Sequence, residues 1–265
     1  MYQTNYHRAS TVDEAVSMIA GATEGKYVAG GMTLIATMKQ RLAAPSDLVD
    51  LRHVEAMKGI SVEGRRVRIG AAVTHAEVAS STAIGAICPA LCELAGRIGD
   101  PHVRHMGTIG GSIANNDPAA DYPAAMLALN ARIITNKREI AADDFFTGLF
   151  ETALEDGELI TAITFEAPEK AGYLKFPNPA SRYAMTGVFV ARGLGGVRVA
   201  VTGAGSNGVF RQPAMEQALS ANWSSGAIAG VNVDPAGLMS DLHASAEYRA
   251  NLVKVMAKRA VAAAG

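Results

Sequence analysis

Apolar and polar positions follow two different rhythms along this chain. In the first fifty residues Val16, Ile19 and Ala20 recur at helical spacing behind Thr11-Val12-Asp13-Glu14, a T-x-x-E sequence of the capping-box form. Lys26-Tyr27-Val28-Ala29 is strand-like and is stopped by Gly30-Gly31. A second helix is predicted from about Thr33 through Leu34, Ile35 and Met38 to Arg41. After the break at Pro45-Ser46-Asp47, Leu48-Val49-Asp50-Leu51 reads as the next strand. Strands and helices alternating at this spacing predict a small parallel α/β unit.

From Gly59 the grammar changes. Residues 60–62 and 67–71 flank Glu63-Gly64-Arg65-Arg66 as a hairpin. Thr74-His75-Ala76-Glu77 is a second capping box, and a helix beginning near Pro89 carries Leu91, Leu94, Ala95 and Ile98. Residues 99–121 show no clear period and read as a long irregular passage between strong core signals. A loop longer than about 15 residues in such a place is predicted to be functional. Strands are predicted over 131–135 and 158–165, with a boundary at 167–172. Two antiparallel strands follow over 183–192 and 197–204. Ser245-Ala246-Glu247-Tyr248 opens a terminal helix with Leu252, Val255, Met256 and Ala260 on one face.

Composition narrows the function classes. At about 150 residues per domain, 265 residues make one large domain or two modest ones, and 49% apolar with 18% charged residues supports a sizeable core. Lys+Arg 24 against Asp+Glu 25 gives a net charge of −1, which offers no polyelectrolyte handle for nucleic acid or an anionic membrane. Cys88 and Cys92 lie four apart, not as a C-x-x-C pair. The N-terminus lacks a signal-peptide pattern and no window reaches the roughly 18 apolar residues of a membrane span, so a soluble, cytoplasmic protein is expected.

The 27 glycines matter for where they cluster. Ala29-Gly30-Gly31-Met32-Thr33 and Gly107-Thr108-Ile109-Gly110-Gly111-Ser112 each pair consecutive glycines with a hydroxyl residue. Bare backbone N–H groups beside a hydroxyl suit a phosphate or pyrophosphate, and the lack of Cβ permits close approach. Either turn alone would read as a tight turn; two in one chain favour a dinucleotide. Neither is G-x-G-x-x-G or a P-loop. Asp121 is placed to accept from ribose hydroxyls or to cap the helix that begins at Tyr122-Pro123. Lys175, in the strand-like Tyr173-Leu174-Lys175-Phe176, is sent to solvent by simple alternation.

Together, the two glycine turns, Asp121 nine residues beyond Ser112, and the segment from Lys175 to Pro179-Ala180-Ser181-Arg182-Tyr183-Ala184 resemble one family over nearly the whole chain. It is the FAD-binding medium subunit of the molybdenum hydroxylases, such as aerobic carbon monoxide dehydrogenase and xanthine dehydrogenase-type enzymes. The resemblance implies an α+β fold, with a PCMH/vanillyl-alcohol-oxidase-like FAD-binding domain over 1–170 built of two α/β subdomains, about 1–55 and 56–170. A smaller C-terminal α+β domain of antiparallel strands and helices would cover 171–265. FAD would lie extended between the subdomains. By the same resemblance Val28, Ala29, Gly30, Gly31, Met32, Thr33, Leu34 and Ile35, together with Thr108, Gly110, Gly111 and Ser112, wrap the pyrophosphate, and Asn115 belongs to the cofactor-binding set. Ile98 matches an apolar or aromatic position near the flavin or adenine, Asp121 an acid that binds FAD, and Ile160 an aliphatic wall. Lys175 matches a lysine near the flavin ring and Tyr183 an aromatic that shields the flavin face. Met32 departs from the polar residue usual there and leaves backbone contacts. The implied partners are a molybdenum-cofactor large subunit, a [2Fe-2S] small subunit and an external electron acceptor.

Other chemistry is weaker. His102, His105 and His75 lack a further ligand at metal spacing, and His102 and His105 are expected to hydrogen-bond within their loop. Cys88 and Cys92 read as buried apolar side chains, and two cysteines cannot hold an iron–sulfur cluster. Asp143-Asp144-Phe145-Phe146 has the form of a helix cap with hydrophobic anchors. No G-x-S-x-G elbow is present. Tyr183 and Trp223 could equally serve as core or interface residues. The rival functions are a stand-alone FAD oxidoreductase of the vanillyl-alcohol oxidase type, for which no catalytic base can be nominated, and a binding module that has lost its flavin.

Overall fold

The computed structural model describes residues 1–264. Its first unit runs β1 (Asn5–Arg8), α1 (Val12–Ala20), β2 (Gly25–Val28), α2 (Leu34–Lys39) and β3 (Asp47–Asp50), with β3 in the centre and parallel to both neighbours. The predicted alternation of helices and strands is therefore present, with β1 ahead of it. Thr11 caps α1 by accepting from Glu14 N at 3.1 Å, but the Glu14 carboxylate reaches past it to Ser10 N and Oγ, both at 2.7 Å.

The buried end of β3 carries a charge. Asp50 is wholly inaccessible and accepts from Tyr6 Oη at 2.5 Å, Arg52 Nη2 at 2.7 Å and Arg52 N at 2.9 Å. Burial pushes its carboxyl up, yet the Arg52 guanidinium and the Tyr6 hydroxyl prevail and hold it at about 2. The unfolded value is about 3.9, so this stabilisation is complete above about pH 4 and is lost as pH falls towards 2. Asp50→Asn is expected to remove about 1 kcal/mol of the stability lost between pH 7 and pH 3. Urea unfolding at pH 7 and pH 3 reads it, and identical acid slopes for variant and wild type would refute the assignment.

A second unit is built on an antiparallel sheet. β4 (Ile60–Glu63) and β5 (Arg66–Gly70) form the predicted hairpin. Then come α3 (His75–Ser80), α4 (Thr82–Gly85), α5 (Pro89–Gly96), α6 (Pro101–Met106), α7 (Ile109–Asn115) and α8 (Tyr122–Ala128). β6 (Arg132–Thr135), β7 (Glu139–Ala141), α9 (Ala142–Phe145), the small hairpin β8 (Phe146–Gly148) and β9 (Glu151–Thr152), and β10 (Ile160–Glu166) complete it. The strand order is β4-β5-β10-β6-β7. The passage expected to be irregular over 99–121 in fact holds α6 and α7. Asp100 caps α6 by accepting from Val103 N at 2.9 Å with Pro101 at the first helical position, and Thr108 caps α7 by accepting from Gly111 N at 3.1 Å. Two adjacent glycines each cost about 1 kcal/mol in a helix, so propensity argued against α7 while tertiary packing imposes it.

The C-terminal part is the antiparallel sheet β11 (Lys170–Pro177), β12 (Ala184–Gly193), β13 (Gly196–Thr202) and β14 (Phe210–Arg211), with α10 (Pro213–Ala221) and α11 (Ala246–Ala263). Both of its faces are covered. Tyr173, Phe189, Ala191 and Ala200 join the core that includes α5 and α8, while Val188, Val190, Val199 and Val201 pack with Met215, Leu219, Val253 and Met256. That is why β12 reads as an almost unbroken apolar run. Asp143 does not cap α9, whose N-cap is Ala141; its carboxylate instead binds Arg198 Nη1 at 2.9 Å and ties α9 to β13.

Candidate functional site

A cleft of about 790 Å3 opens between the first two units and extends to the β11–β12 turn, within the roughly 300–1,000 Å3 common for small-molecule sites. The predicted turn from Val28 to Leu34 lines it, as do Thr108, Gly110, Gly111, Ser112 and Asn115 of α7, and Ile98, Asp121, Ile160 and Tyr183. Ile35 and Lys175 are not on its wall. Ile35 packs with Val28, Met38 and Leu48 beneath the first turn.

The two glycine turns cross. A Cβ on Gly30 would lie 2.1 Å from Met106 O and 2.7 Å from Gly107 Cα, so only glycine permits the contact. Gly111 is different: its Cβ position meets only Thr108 Oγ1, at 3.0 Å, and otherwise leaves open space at the cleft wall. The turns differ in what they offer. The N–H groups of Gly31, Met32, Thr33 and Leu34 find no acceptor among the described residues. Those of Ile109, Gly110, Gly111 and Ser112 are consumed by Val73 O, Ala71 O, Thr108 Oγ1 and Thr108 O. The expected pair of bare N–H cradles is thus one cradle and one bare glycine face with the Ser112 hydroxyl beside it. Unsatisfied donors opposite a glycine surface suit an anionic, elongated ligand such as a dinucleotide diphosphate.

Asp121 neither caps α8 by its side chain nor stands free. It accepts from Tyr173 Oη and from Lys175 Nζ, with Nζ 3.0 Å from Oδ1 and 3.1 Å from Oδ2, and Lys175 also donates to Arg97 O at 2.8 Å. Burial pushes the Asp121 carboxyl above its ordinary range against the pull of Lys175 and Tyr173. The solvent position that alternation gave Lys175 is wrong, because that face of β11 is covered by α5 and its side chain is 4% exposed. Lys175 therefore stands behind Asp121 rather than in the cleft.

Tyr183 lies on the cleft wall and is 47% exposed. Asn178 Oδ1 accepts from Ala180 N at 2.9 Å and Ser181 N at 3.2 Å, and Arg182 adopts a left-handed φ of 64°, which turns Ala180 through Tyr183 onto the cleft. The Asn178-Pro179 turn signal was available in the sequence, but its place over the cleft was not. Two roles were not legible in the sequence: Tyr173 anchors Asp121 from 52 positions away, and His75, which read only as part of a capping box and a weak metal candidate, lines the cleft.

The remaining candidates lie elsewhere. His105 Nδ1 sits 2.7 Å from Pro101 O within α6, whereas no such bond is found for His102. Cys88 is buried and its thiol is pushed up to about 12 by desolvation. Trp223 packs against the second core. Among the described residues no three His, Cys, Asp or Glu side chains form a metal-binding group, and no helix is long and apolar enough to cross a membrane.

A family model described as the FAD binding domain in molybdopterin dehydrogenase matches residues 2–167. The chain is 34% identical to the carbon monoxide dehydrogenase medium chain of Afipia carboxidovorans over 97% of its own length and 95% of that subunit. It is 32% identical to the nicotine 6-hydroxylase medium subunit of Paenarthrobacter nicotinovorans over 98% and 96% of the two chains. Among solved structures, it matches the reconstituted CO dehydrogenase from Oligotropha carboxidovorans with a TM-score of 0.87 at 32% identity, covering 99% of this chain and 97% of that one.

Proposed function

Because the chain belongs to the family of FAD-binding domains of molybdopterin dehydrogenases, we propose that it relays electrons from the iron–sulfur clusters of partner subunits to an external acceptor. It is the medium, FAD-binding subunit of a carbon monoxide dehydrogenase-like molybdenum hydroxylase, and its partners in this reading are a molybdenum-cofactor large subunit and a [2Fe-2S] small subunit in the cytoplasm. The observation that carries the reading is the crossing of the two glycine turns on the cleft wall, with free N–H donors on one side and the open face of Gly111 on the other. Bound FAD supplies the redox chemistry, taking electrons singly and releasing them singly or in pairs.

The chain's own residues bind, orient and shield. The N–H groups of residues 31–34 and the Ser112 hydroxyl hold the diphosphate, while Ile98 and Ile160 give apolar walls. Asp121, fixed by Tyr173 and Lys175, presents its carboxylate edge to cofactor hydroxyls. Tyr183, on the cleft wall, would cover the flavin face and limit water. With only Cys88 and Cys92 in the sequence, the four ligands of an iron–sulfur cluster must come from elsewhere.

The test is purification of the native complex through this chain, followed by a visible spectrum and chromatography of released cofactor. Flavin bands, about one FAD per chain, and two co-purifying subunits bearing molybdenum and iron are expected. A colourless folded chain that takes up no added FAD would overturn the reading, and full substrate turnover by the chain alone would replace it with a stand-alone oxidase.

A further inference from the structure

His75 lies on the cleft wall, and the reading above gives it no task. The Thr74–Glu77 capping box starts α3 at this residue: Thr74 N donates to Glu77 Oε2 at 2.7 Å, and Glu77 N donates to Thr74 Oγ1 at 3.2 Å. His75 N in turn donates to Gly107 O at 3.0 Å, so the backbone holds the ring against the second glycine turn. A Cβ on Gly107 would lie 2.6 Å from His75 Nε2, and a Cβ on Gly30 would lie 2.7 Å from Gly107 Cα. The imidazole therefore sits on the cleft wall beside the point where the two turns cross.

Among the described residues the ring has no hydrogen-bond partner. His75 is 5% exposed, and its Nδ1 is sealed and unpartnered. Tyr122 is wholly buried beside it, with ring centroids 5.4 Å apart, and its hydroxyl is unpartnered too. Leaving such groups unsatisfied is unfavourable. The donor supply at the crossing adds a second argument. The second turn spends the N–H groups of residues 109–112 internally. The cationic side chains on the wall, Lys26 and Arg182, belong to β2 and to the β11–β12 turn, not to the crossing. Burial and nearby Arg104 push the imidazole down to about 4, so at neutral pH it carries a single N–H.

The geometry points to His75 as a further binding residue, whose Nε2–H donates to the cofactor diphosphate at the crossing while Nδ1 stays sealed on the side of Tyr122. Nδ1 is sealed away from the cleft, so Nε2 is the ring nitrogen left to reach the diphosphate, and a neutral imidazole must carry its proton there to donate. This inference rests on the FAD reading and adds one residue to it.

The experiment uses the full chain freed of flavin, with ADP, riboflavin and FAD as probes. His75→Asn keeps a polar atom near the Nδ1 position but cannot reach the crossing, whereas His75→Gln reaches the Nε2 position. His75→Asn is expected to weaken ADP binding about tenfold to a hundredfold, as for loss of a hydrogen bond to a charged group, with riboflavin affinity unchanged. His75→Gln should stay within a few-fold of wild type. Nitrogen-15 shifts of His75 in the wild-type chain with ADP should report the Nε2–H tautomer, a reading that needs no variant to fold. Wild-type ADP affinity in His75→Asn, or an Nδ1–H tautomer, overturns the role of His75 alone. A wild-type chain that binds neither FAD nor ADP overturns it together with the FAD reading.

Discussion

Gly111→Asp is expected to strip the flavin from a chain that still folds. The Cβ position at Gly111 meets only Thr108 Oγ1, at 3.0 Å, and faces open cleft beyond it. A carboxylate placed there would stand against the diphosphate. Two like charges about 4 Å apart repel by roughly 4 kcal/mol at an effective dielectric constant near 20, which corresponds to a loss of affinity of about a thousandfold. Folding should change by only about 1 kcal/mol, since the tighter contact with Thr108 is offset by relief of a glycine inside α7. Gly110→Ala is the contrasting substitution, because the Cβ position there points at Ala71 and not into open space. Its Cβ would lie 2.6 Å from Ala71 O, so it should destabilise the fold itself. The flavin-to-protein ratio after gel filtration, read beside thermal unfolding of the flavin-free chain, separates the two effects. A stoichiometric flavin content in Gly111→Asp would remove α7 from the binding site.

Local pattern made the first unit and the glycine turns readable. Period and capping residues mark α1, and Gly30-Gly31 marks the end of β2, because each of these depends on neighbours within a few positions. The structure departs from pattern where distant segments decide. α7 exists although Gly110 and Gly111 disfavour it, because Gly110 is the only residue type that fits against Ala71 of another element. Lys175 points inward although alternation sends it out, because that rule assumes one solvated sheet face and both faces of this sheet are covered. Asp143 looked like a cap and is an ion-pair partner of the C-terminal sheet, because Arg198 and Arg211 arrive from strands more than fifty residues later. His75 shows the same limit at the site: its neighbours Gly107 and Gly30 are brought to it by the crossing of two turns, which no local motif encodes.

The inward turn of Lys175 alters what its removal should do. Lys175→Met leaves Asp121 buried with only Tyr173 as a partner, and breaking a buried pair from one side costs about 3–5 kcal/mol. Asp121→Asn strands the ammonium instead and should cost a comparable amount. The double variant removes both charges, keeps an acceptor for Tyr173, and is expected to regain more than half of the loss; a cycle of this kind isolates the pair. The pH dependence has a definite sign. Burial already raises the Asp121 carboxyl above its unfolded value, and loss of the lysine raises it further. A raised folded pKa contributes stability at low pH that disappears as pH rises through it. Lys175→Met should therefore sit closer to wild type at pH 5 than at pH 8, opposite in direction to the acid sensitivity that Asp50 confers. Urea unfolding at those two pH values measures it. A loss below about 1 kcal/mol at pH 8, with flavin reduction altered, would return Lys175 to the cofactor's side of Asp121. The predicted loss, with reduction changed only in step with Asp121→Asn, means that Lys175 acts on the cofactor by holding the carboxylate that faces it.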